Sequence, residues 1–214
     1  MKNKSLLAAM MKRFFSCVFV AIACCTTLCA SDNNNRDSWH VMLGNGYSVM
    51  LGDMLGEGYS SVNSFAWQPS PCWGFGLEYG MNYHNPVDYS LQRDYDYQGT
   101  TINYQYTRRH NNFFVGPSMY WYPVNTQKHR VHIGGSVNYF HTNDFNQYRE
   151  FDTDNQQYIS ERSEEIVVNS IGLGVSAGYS YKLGDHLEFG ARFYTSWSQE
   201  EFHLMGLFNI GFGF

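Results

Sequence analysis

The sequence has almost no long hydrophobic runs. Its mean hydropathy is -0.40, and beyond the first 30 residues no stretch approaches the roughly 20 consecutive apolar residues of a membrane-spanning helix. This argues against a helical membrane protein as the mature form. A membrane protein built of β-strands is not excluded, because a strand that crosses a membrane needs apolar side chains only at alternate positions.

Charged residues are also scarce. They make up 15% of the 214 residues, whereas aromatic residues reach 18%, and an ordinary soluble domain carries about 25% charged residues. We therefore expect a surface made mainly of something other than charge. Acidic residues outnumber basic ones, with 19 Asp and Glu against 14 Lys and Arg. The composition therefore argues against a nucleic-acid partner.

Cysteine is nearly absent beyond the N-terminus. Four of the five cysteines lie in the first 30 residues, and only Cys72 remains. No disulfide within a mature domain is therefore expected.

One apolar stretch exists, at the N-terminus. Four basic residues and no acidic one accompany an apolar run at 14–23, which is typical of a secretory signal peptide. We expect cleavage after Ala30, and Met11 is as good a start as Met1. The chain then divides into a signal peptide at 1–30, a short lead at 31–37 and one domain at 38–214.

Along that domain, apolar side chains alternate with Gly, Ser, Asn and a few charged residues. In the first strand the odd positions include Trp39 and Tyr47, whereas the even ones include His40 and Ser48. Such alternation predicts strands with one apolar face. The predicted strands are 39–51, 61–68, 73–83, 112–122, 131–139, 171–182, 187–197 and 202–214, with those at 61–68 and 112–122 the weaker ones.

Pro117 lies inside the weaker strand at 112–122. Because proline lacks the backbone N–H that a ladder needs, we expect a bulge or a shifted register at this point.

The connections between these strands alternate in length. Short turns on the periplasmic side and long loops outside are typical of bacterial outer-membrane barrels. The sequence therefore predicts an all-β fold, an eight-stranded antiparallel up-and-down transmembrane β-barrel; a soluble sandwich or lipocalin-like barrel is the alternative. The short turns are 69–72, 123–130 and 183–186, and the long loops are 52–60, 84–111 and 141–166, while the last outer connection at 198–201 is brief.

The tryptophans agree with this topology. Aromatic rings prefer the membrane interface, where an apolar body meets a polar edge, and each tryptophan falls at a predicted strand end. Those expected at the periplasmic interface are Trp39, Trp67, Trp73 and Trp121, and Trp197 is expected at the outer one.

These strands resemble the small outer-membrane β-barrel domain family, which includes OmpA-type and OmpX-type barrels. The sharpest element is the terminal strand, which ends in aromatic-Gly-aromatic. The resemblance implies an outer-membrane location in a Gram-negative bacterium, contact with lipid and lipopolysaccharide, and insertion by the outer-membrane assembly machinery. The residues of the assembly signal are Phe208, Ile210, Phe212 and Phe214.

Eight strands enclose only enough room for side chains, so we expect a lumen closed by a polar network. A buried charge needs a partner, and Arg192 can pair with Glu78 or with Glu188. The polar residues expected inside are Glu78, Glu188, Arg192, Lys182 and His132, together with His40, Asn82 and Asn138.

No catalytic set is evident. Lipid A-modifying enzymes exist among such barrels, but the segment around His141 lacks the serine of the deacylase pattern, and we expect no suitable serine or acid beside His203. Asp152 and Asp154 lack the glycine and distal glutamate of a calcium loop. We therefore expect no catalytic residue, no metal and no cofactor.

The long loops carry the most individual residues. Loop 84–111 is aromatic and partly basic, and its 100–107 stretch alternates like a strand extended beyond the membrane, whereas loop 141–166 holds seven acidic residues against two arginines. Loops are where such scaffolds carry function, so the sequence favours a non-enzymatic envelope or surface-interaction role with an extracellular protein or glycan. The alternatives are an accessory role in protein secretion or outer-membrane assembly and a lipid A-modifying enzyme. The candidate contact residues are Tyr95, Tyr97, Tyr104, Tyr106, Arg108 and Arg109.

Overall fold

The computed structural model describes residues 30–31, 38–51, 56–85, 87–97, 100–152, 155, 157–198 and 201–214. No helix in this part of the chain is long and apolar enough to cross a membrane. Ten strands make up the described structure: β1 (Ala30–Ser31), β2 (Ser38–Leu51), β3 (Gly56–Gln68), β4 (Trp73–His84), β5 (Val87–Tyr97), β6 (Thr100–Asn125), β7 (His129–Asp152), β8 (Gln157–Leu183), β9 (Leu187–Trp197) and β10 (Phe202–Gly213).

Eight of these strands form a closed antiparallel ring in the order β2, β3, β4, β6, β7, β8, β9, β10. β10 returns to β2 and closes the ring, with Phe202 opposite Leu51 and Gly213 opposite His40. Backbone hydrogen bonds of 2.8 and 3.0 Å between Trp39 and Phe214 complete the seam. The predicted eight-stranded barrel is confirmed.

The register shows how the barrel is sheared. A path through paired residues leaves β2 at Trp39, crosses Trp67 on β3, and comes back to β2 at Val49, ten residues further along. A closed sheet with such a stagger has strands tilted by roughly 35–45° from the barrel axis. The stagger therefore decides which inward side chains of opposite strands come into contact, and their separation in the sequence does not show it.

The outer face of the ring is apolar, as the alternation predicts. Along the part of the ring strands that forms the barrel, most large apolar side chains are exposed while the residues between them are buried, and Phe65, Leu77 and Val137 are examples on β3, β4 and β7. A continuous apolar band on the outside of a closed barrel is the surface that lipid covers.

Aromatic rings border this band at both ends. Trp39 and Trp67 are paired at the end with the short turns, and their ring centroids lie 6.3 Å apart. Near the other end Tyr47 pairs with Tyr59, which pairs with Tyr83. Following the orientation that the sequence predicts, we refer to Trp39, Trp67, Trp73 and Trp121 as the periplasmic girdle, and to Tyr47, Tyr59, Tyr83, Tyr139 and Trp197 as the outer girdle.

The long loops are mostly strand. β6, β7 and β8 span 26, 24 and 27 residues, so they continue far beyond the outer girdle, and β5 adds a further strand at 87–97. The expectation of a strand at 100–107 is confirmed, whereas the expectation of loops over most of 84–111 and 141–166 is wrong. Ladder pairing continues outside the membrane because each extended strand finds a neighbour, up to Ile102 opposite Asp152.

The expected irregularity at Pro117 is not found. Pro117 stays in register opposite Leu77, and the pairing of β6 with β7 keeps one register from Val115 to Ser118. The shift lies later, between Trp121 and Val124. Pro117 is tolerated because the ladder to β7 skips that position without changing its offset.

Little of the N-terminus is described. The predicted signal peptide and the lead lie outside the described residues except for Ala30 and Ser31, which pair in parallel with Val124 and Asn125. Cys72 is disulfide-bonded in the full chain, whose other cysteines lie outside the described residues. The expectation of no disulfide concerns the domain after removal of the predicted leader, so the disulfide of the full chain does not test it and it stays a prediction.

Candidate functional site

The inward-facing side chains are stacked in layers along the barrel axis. On β6 they run from His110 at the outer end, through Phe114, to Tyr120 and Tyr122 near the periplasmic end, and all four are buried. On β10, the buried His203 likewise lies nearer the outer end of the lumen than Met205 and Leu207. The lumen therefore changes from polar, to apolar, and back to polar with depth.

Three histidines form a buried layer near the outer end of the lumen. The ring centroids of His84, His110 and His203 lie 5.3, 5.2 and 5.7 Å apart pairwise, and each residue is 2% exposed or less. They come from β4, β6 and β10. Since β6 and β10 lie on opposite sides of the ring, the three imidazoles meet across the lumen.

Carboxylates face these imidazoles. Oε2 of Glu201, on the connection between β9 and β10, lies 3.2 Å from His110 Nε2 and 3.5 Å from His203 Nε2. The expectation that His203 has no acid partner is therefore wrong. Asp144 lies on the other side of His110, with Oδ1 2.6 Å from its Nδ1.

Arg108 completes the group. Its Nη2 lies 2.6 Å from Asp144 Oδ2 and 3.6 Å from Glu201 Oε1, so one guanidinium bridges the two carboxylates. We call His84, His110, His203, Glu201, Asp144 and Arg108 the mouth cluster. Arg108, expected as a loop contact, is thus turned into the outer opening of the barrel.

Both carboxylates of the mouth cluster lie beyond the outer girdle and favour the charged form. Burial raises the pKa of Glu201, but the neighbouring imidazoles of His110 and His203 outweigh it and hold that pKa well below its usual value. Burial likewise raises the pKa of Asp144, and the hydrogen bonds from His110 and Arg108 again leave it below its usual value. At neutral pH the cluster therefore contains two negative carboxylates.

Several nitrogens of the cluster have no hydrogen-bond partner among the described residues. These are both ring nitrogens of His203, Nδ1 of His84 and Nε2 of His110. Oε2 of Glu201 likewise has no hydrogen-bond partner. Buried polar atoms are paired in the large majority of cases. His110, Glu201 and His203 each offer one atom that could bind a metal ion, and these three atoms lie within 4.8 Å of one another. The sequence analysis expected no metal.

An apolar layer lies immediately below the mouth cluster. Phe114 and Tyr194 stack at 5.7 Å between centroids and 9° between planes, and Phe140 lies 5.5 Å from Phe114. Glycine makes room for these rings, since a Cβ at Gly80, opposite Phe114, would lie 2.5 Å from its Cζ. The layer consists of Val62, Phe114, Phe140, Tyr194, Met205 and Leu207.

The deeper layers hold the ion pairs. Arg192 Nη1 lies 3.6 Å from Glu78 Oε1, so the structure brings Arg192 to Glu78 rather than to Glu188. Glu188 instead contacts Arg130, with Nη1 2.7 Å from Oε1. Sequence reasoning missed Arg130 because it placed residue 130 in a turn; the parity that it shares with His132 would have found it.

Asn82, which accepts a hydrogen bond from Ser60, and Asn138, which donates to Tyr194, are buried further out along the lumen. Lys182, His132 and His40 lie near the periplasmic end. Lys182 Nζ donates to Asn125 Oδ1 at 2.7 Å, and His132 is buried against Tyr120. A recess of about 180 Å³ opens there, lined in part by His40, Arg130 and Lys182.

The other expected contact residues lie on the sheet outside the membrane. Tyr106 donates to Asn146 Oδ1 at 2.7 Å and its ring packs 4.9 Å from that of Tyr148. Tyr104 is half-buried and Arg109 is exposed. The side chains of Tyr95 and Tyr97, on β5, lie outside the described part of the structure.

The expected interface and assembly residues face outward. Trp197 is exposed at the outer girdle, and the four tryptophans of the periplasmic girdle are exposed or half-buried. On β10, Phe208, Phe212 and Phe214 are exposed and Ile210 is half-buried. His141 also points outward, 2.8 Å from Asn169 Oδ1, and so lies apart from the mouth cluster.

Sequence reasoning did not assemble the mouth cluster, although parity carried the signal. His84 shares the inward parity of Asn82, His110 that of Phe114, and His203 that of Met205. Parity was not applied in the segments taken as loops, and it cannot show which strands face each other across the lumen.

No protein-family model matches the chain, and no curated protein is significantly similar to it. Solved structures resemble it in fold. A major outer membrane protein from Thermus thermophilus is 15% identical, with 84% of this chain and 100% of the other covered and a TM-score of 0.53. OprG from Pseudomonas aeruginosa is 12% identical, covering 84% and 97% with a TM-score of 0.49. The attachment invasion locus protein of Yersinia pestis is 12% identical, covering 84% and 100% with a TM-score of 0.48.

At such identities the likeness shows the fold alone. That fold is the small outer-membrane β-barrel, and it agrees with the apolar band between two aromatic girdles. Fold and band together place the chain in the outer membrane of a Gram-negative bacterium.

Proposed function

We infer that this outer-membrane barrel is a non-enzymatic scaffold with a closed lumen, which presents an extracellular sheet to a protein partner. The observation that carries the proposal is strand length. A tilted strand needs about 9–11 residues to cross a membrane, and β6, β7 and β8 have 26, 24 and 27. The excess forms a sheet outside the membrane, which the barrel itself does not require.

That outer sheet has an open edge on β8. Above the membrane β8 pairs with β7 from Gln157 onward, whereas its described pairing with β9 starts only at Leu173. The opposite side of β8 over 157–172 therefore presents backbone N–H and C=O groups to the surroundings in the described structure. Such an edge can accept a strand from another chain.

The side chains of this edge favour a protein over a glycan. Tyr158, Ile159 and Val167 are each at least half exposed, and such β-branched and aromatic side chains pack well against an added strand. Glu164 and Glu165 add negative charge. The partner that fits is an extracellular protein offering an extended strand with basic side chains.

The interior supports a closed lumen. Eight strands leave room only for side chains, and the apolar layer around Phe114 and Tyr194 fills the cross-section beneath the mouth cluster. A role as an open channel is not supported by this packing.

The enzyme alternative has a direct test. Lipid A from cells with and without the gene is compared by mass spectrometry, and identical spectra are expected. An accessory role in secretion predicts instead that a stoichiometric secretion component is crosslinked to the barrel in isolated membranes.

The proposed surface is tested by blocking the edge. Cells that display the wild-type barrel are compared with Ile159→Lys/Val167→Lys cells for binding to a panel of immobilised extracellular proteins and to a glycan array. Lysine on an edge strand opposes strand addition, so the double variant is expected to lose at least tenfold in protein binding.

Phe145→Lys/Tyr148→Lys is the matched control, because it adds the same two charges at exposed positions of β7, which is paired on both sides. It should bind like the wild type. Binding to glycans alone, or protein binding by Ile159→Lys/Val167→Lys equal to that of the wild type, would contradict the proposal.

A further inference from the structure

The mouth cluster has the composition and geometry of a metal site. We propose that it binds one Zn²⁺ through His110 Nε2, His203 Nε2 and a carboxylate oxygen of Glu201. The site is independent of the protein-binding edge proposed above, since none of its residues lies on β8.

The distances between the ligand atoms fit tetrahedral zinc. Zinc binds imidazole nitrogen and carboxylate oxygen at about 2.0–2.2 Å, which places neighbouring ligand atoms of a tetrahedron about 3.3 Å apart. Glu201 Oε2 lies 3.2 Å from His110 Nε2 and 3.5 Å from His203 Nε2. The three ligand atoms fall within 4.8 Å of one another, so only small side-chain rotations are needed.

The ligand atoms face one another and form no hydrogen bond to any other group in the described structure. His110 Nε2 and His203 Nε2 lie 3.2 and 3.5 Å from Glu201 Oε2 without hydrogen-bond geometry, and His203 is fully buried. A bound cation would satisfy all three atoms at once.

Asp144 orients one of the ligands. A carboxylate only accepts hydrogen bonds, so His110 Nδ1–H donates to Asp144 Oδ1 at 2.6 Å. Nε2, which faces Glu201 at 3.2 Å, is then the nitrogen left to bind a metal. Metal-binding histidines almost always have such an outer partner. Arg108, 2.6 Å from Asp144 Oδ2, holds the carboxylate in turn.

The donor set selects the class of cation. Two imidazoles and one carboxylate suit Zn²⁺ and its transition-metal neighbours, whereas Ca²⁺ and Mg²⁺ require mainly oxygen ligands. A water, or His84 after a rotation toward the metal, takes the fourth position, because the His84 ring packs 5.2–5.3 Å from both other rings.

The site is reached from the cell exterior. The Glu201 side chain keeps 16% of its surface exposed, while the layer of Val62, Phe114 and Phe140 closes the lumen below. Bound zinc would connect β6 to β10 across the ring, so binding is expected to raise the unfolding temperature by mass action.

The test uses the folded barrel in detergent after treatment with a chelator. Zinc titration by calorimetry, with metal content measured by mass spectrometry, is expected to give one site per chain and a higher unfolding temperature. Co²⁺ should give the visible absorption bands of a tetrahedral site, and Ca²⁺ and Mg²⁺ should give no shift.

Variants identify the ligands. Glu201→Gln and His203→Gln, which keep size and polarity, should each weaken zinc binding at least 100-fold, and Asp144→Asn should weaken it 10- to 100-fold. His141→Ala is the control, because His141 is exposed and points away from the lumen; it should bind zinc like the wild type.

Folding of each variant is checked by heat-modifiable migration on gels, and the Co²⁺ spectrum of the wild type needs no variant. The proposal is overturned if the folded wild type binds no zinc. It is also overturned if folded Glu201→Gln and His203→Gln bind zinc as the wild type does, or if His141→Ala abolishes binding.

Discussion

At the scale of single residues, the buried pair of Arg192 and Glu78 is the most consequential contact inside the membrane-spanning part. Arg192 Nη1 lies 3.6 Å from Glu78 Oε1, both side chains are almost fully buried, and Arg192 Nη2 also donates to the carbonyl of Val62. Removing one member of a buried pair leaves the other charge uncompensated, at a cost of about 3–5 kcal/mol.

Arg192→Met is therefore expected to lower the free energy of unfolding by about that amount, measured by urea unfolding in lipid vesicles. Adding Glu78→Gln should recover part of the lost free energy of unfolding, because it removes the carboxylate that Arg192→Met leaves unpaired. Arg149→Met is the control; its partner Glu161 is exposed, so a change within about 0.5 kcal/mol is expected. A double variant no more stable than Arg192→Met would argue against the pair.

Sequence parity placed Glu78 and Arg192 inside but could not pair them. Glu78 lies on β4 and Arg192 on β9, and these strands stand opposite each other only after the ring closes with its ten-residue stagger. The same holds for His110 and His203. Inward orientation is a local property that sequence shows, whereas contact across the lumen depends on strand order and shear.

At the scale of elements, the outer hairpin of β7 and β8 is the feature that sequence reasoning described least well. The expected loop at 141–166 is a ladder that continues from Tyr139 to Asp152 on β7. Polar residues on both faces hide the alternation there, because the inner face covers the polar mouth cluster, through residues such as Asp144, and no lipid covers the outer face. The barrel strands were predictable since lipid fixes the polarity of one face along their whole length.

Cysteine labelling tests which elements lie outside the cell. Ser160→Cys on β8 is exposed, and Lys128→Cys lies in the short turn at the opposite end of the barrel. A membrane-impermeant maleimide added to intact cells should label Ser160→Cys and should label Lys128→Cys only after the outer membrane is permeabilised. The wild type, without an added cysteine, reports the background labelling, and the reverse pattern would contradict the proposed orientation.

At the scale of the whole molecule, the layered interior predicts that the barrel conducts no ions. The ring encloses the mouth cluster, the apolar layer and the deeper ion pairs in succession, and close-packed side chains leave few voids as large as a water molecule. The apolar layer is the main barrier, because ions there would lose hydration without gaining a polar partner.

Purified wild-type barrel in planar lipid bilayers should therefore show no current steps. The variant Phe114→Ala/Tyr194→Ala removes two stacked rings, whose centroids lie 5.7 Å apart, and should admit water and give small steps while still migrating as a folded barrel. Phe113→Ala is the matched control, since Phe113 is exposed on the lipid face of β6, and it should remain silent. Steps in the wild type as large as those of the double variant would show that the layer does not close the lumen.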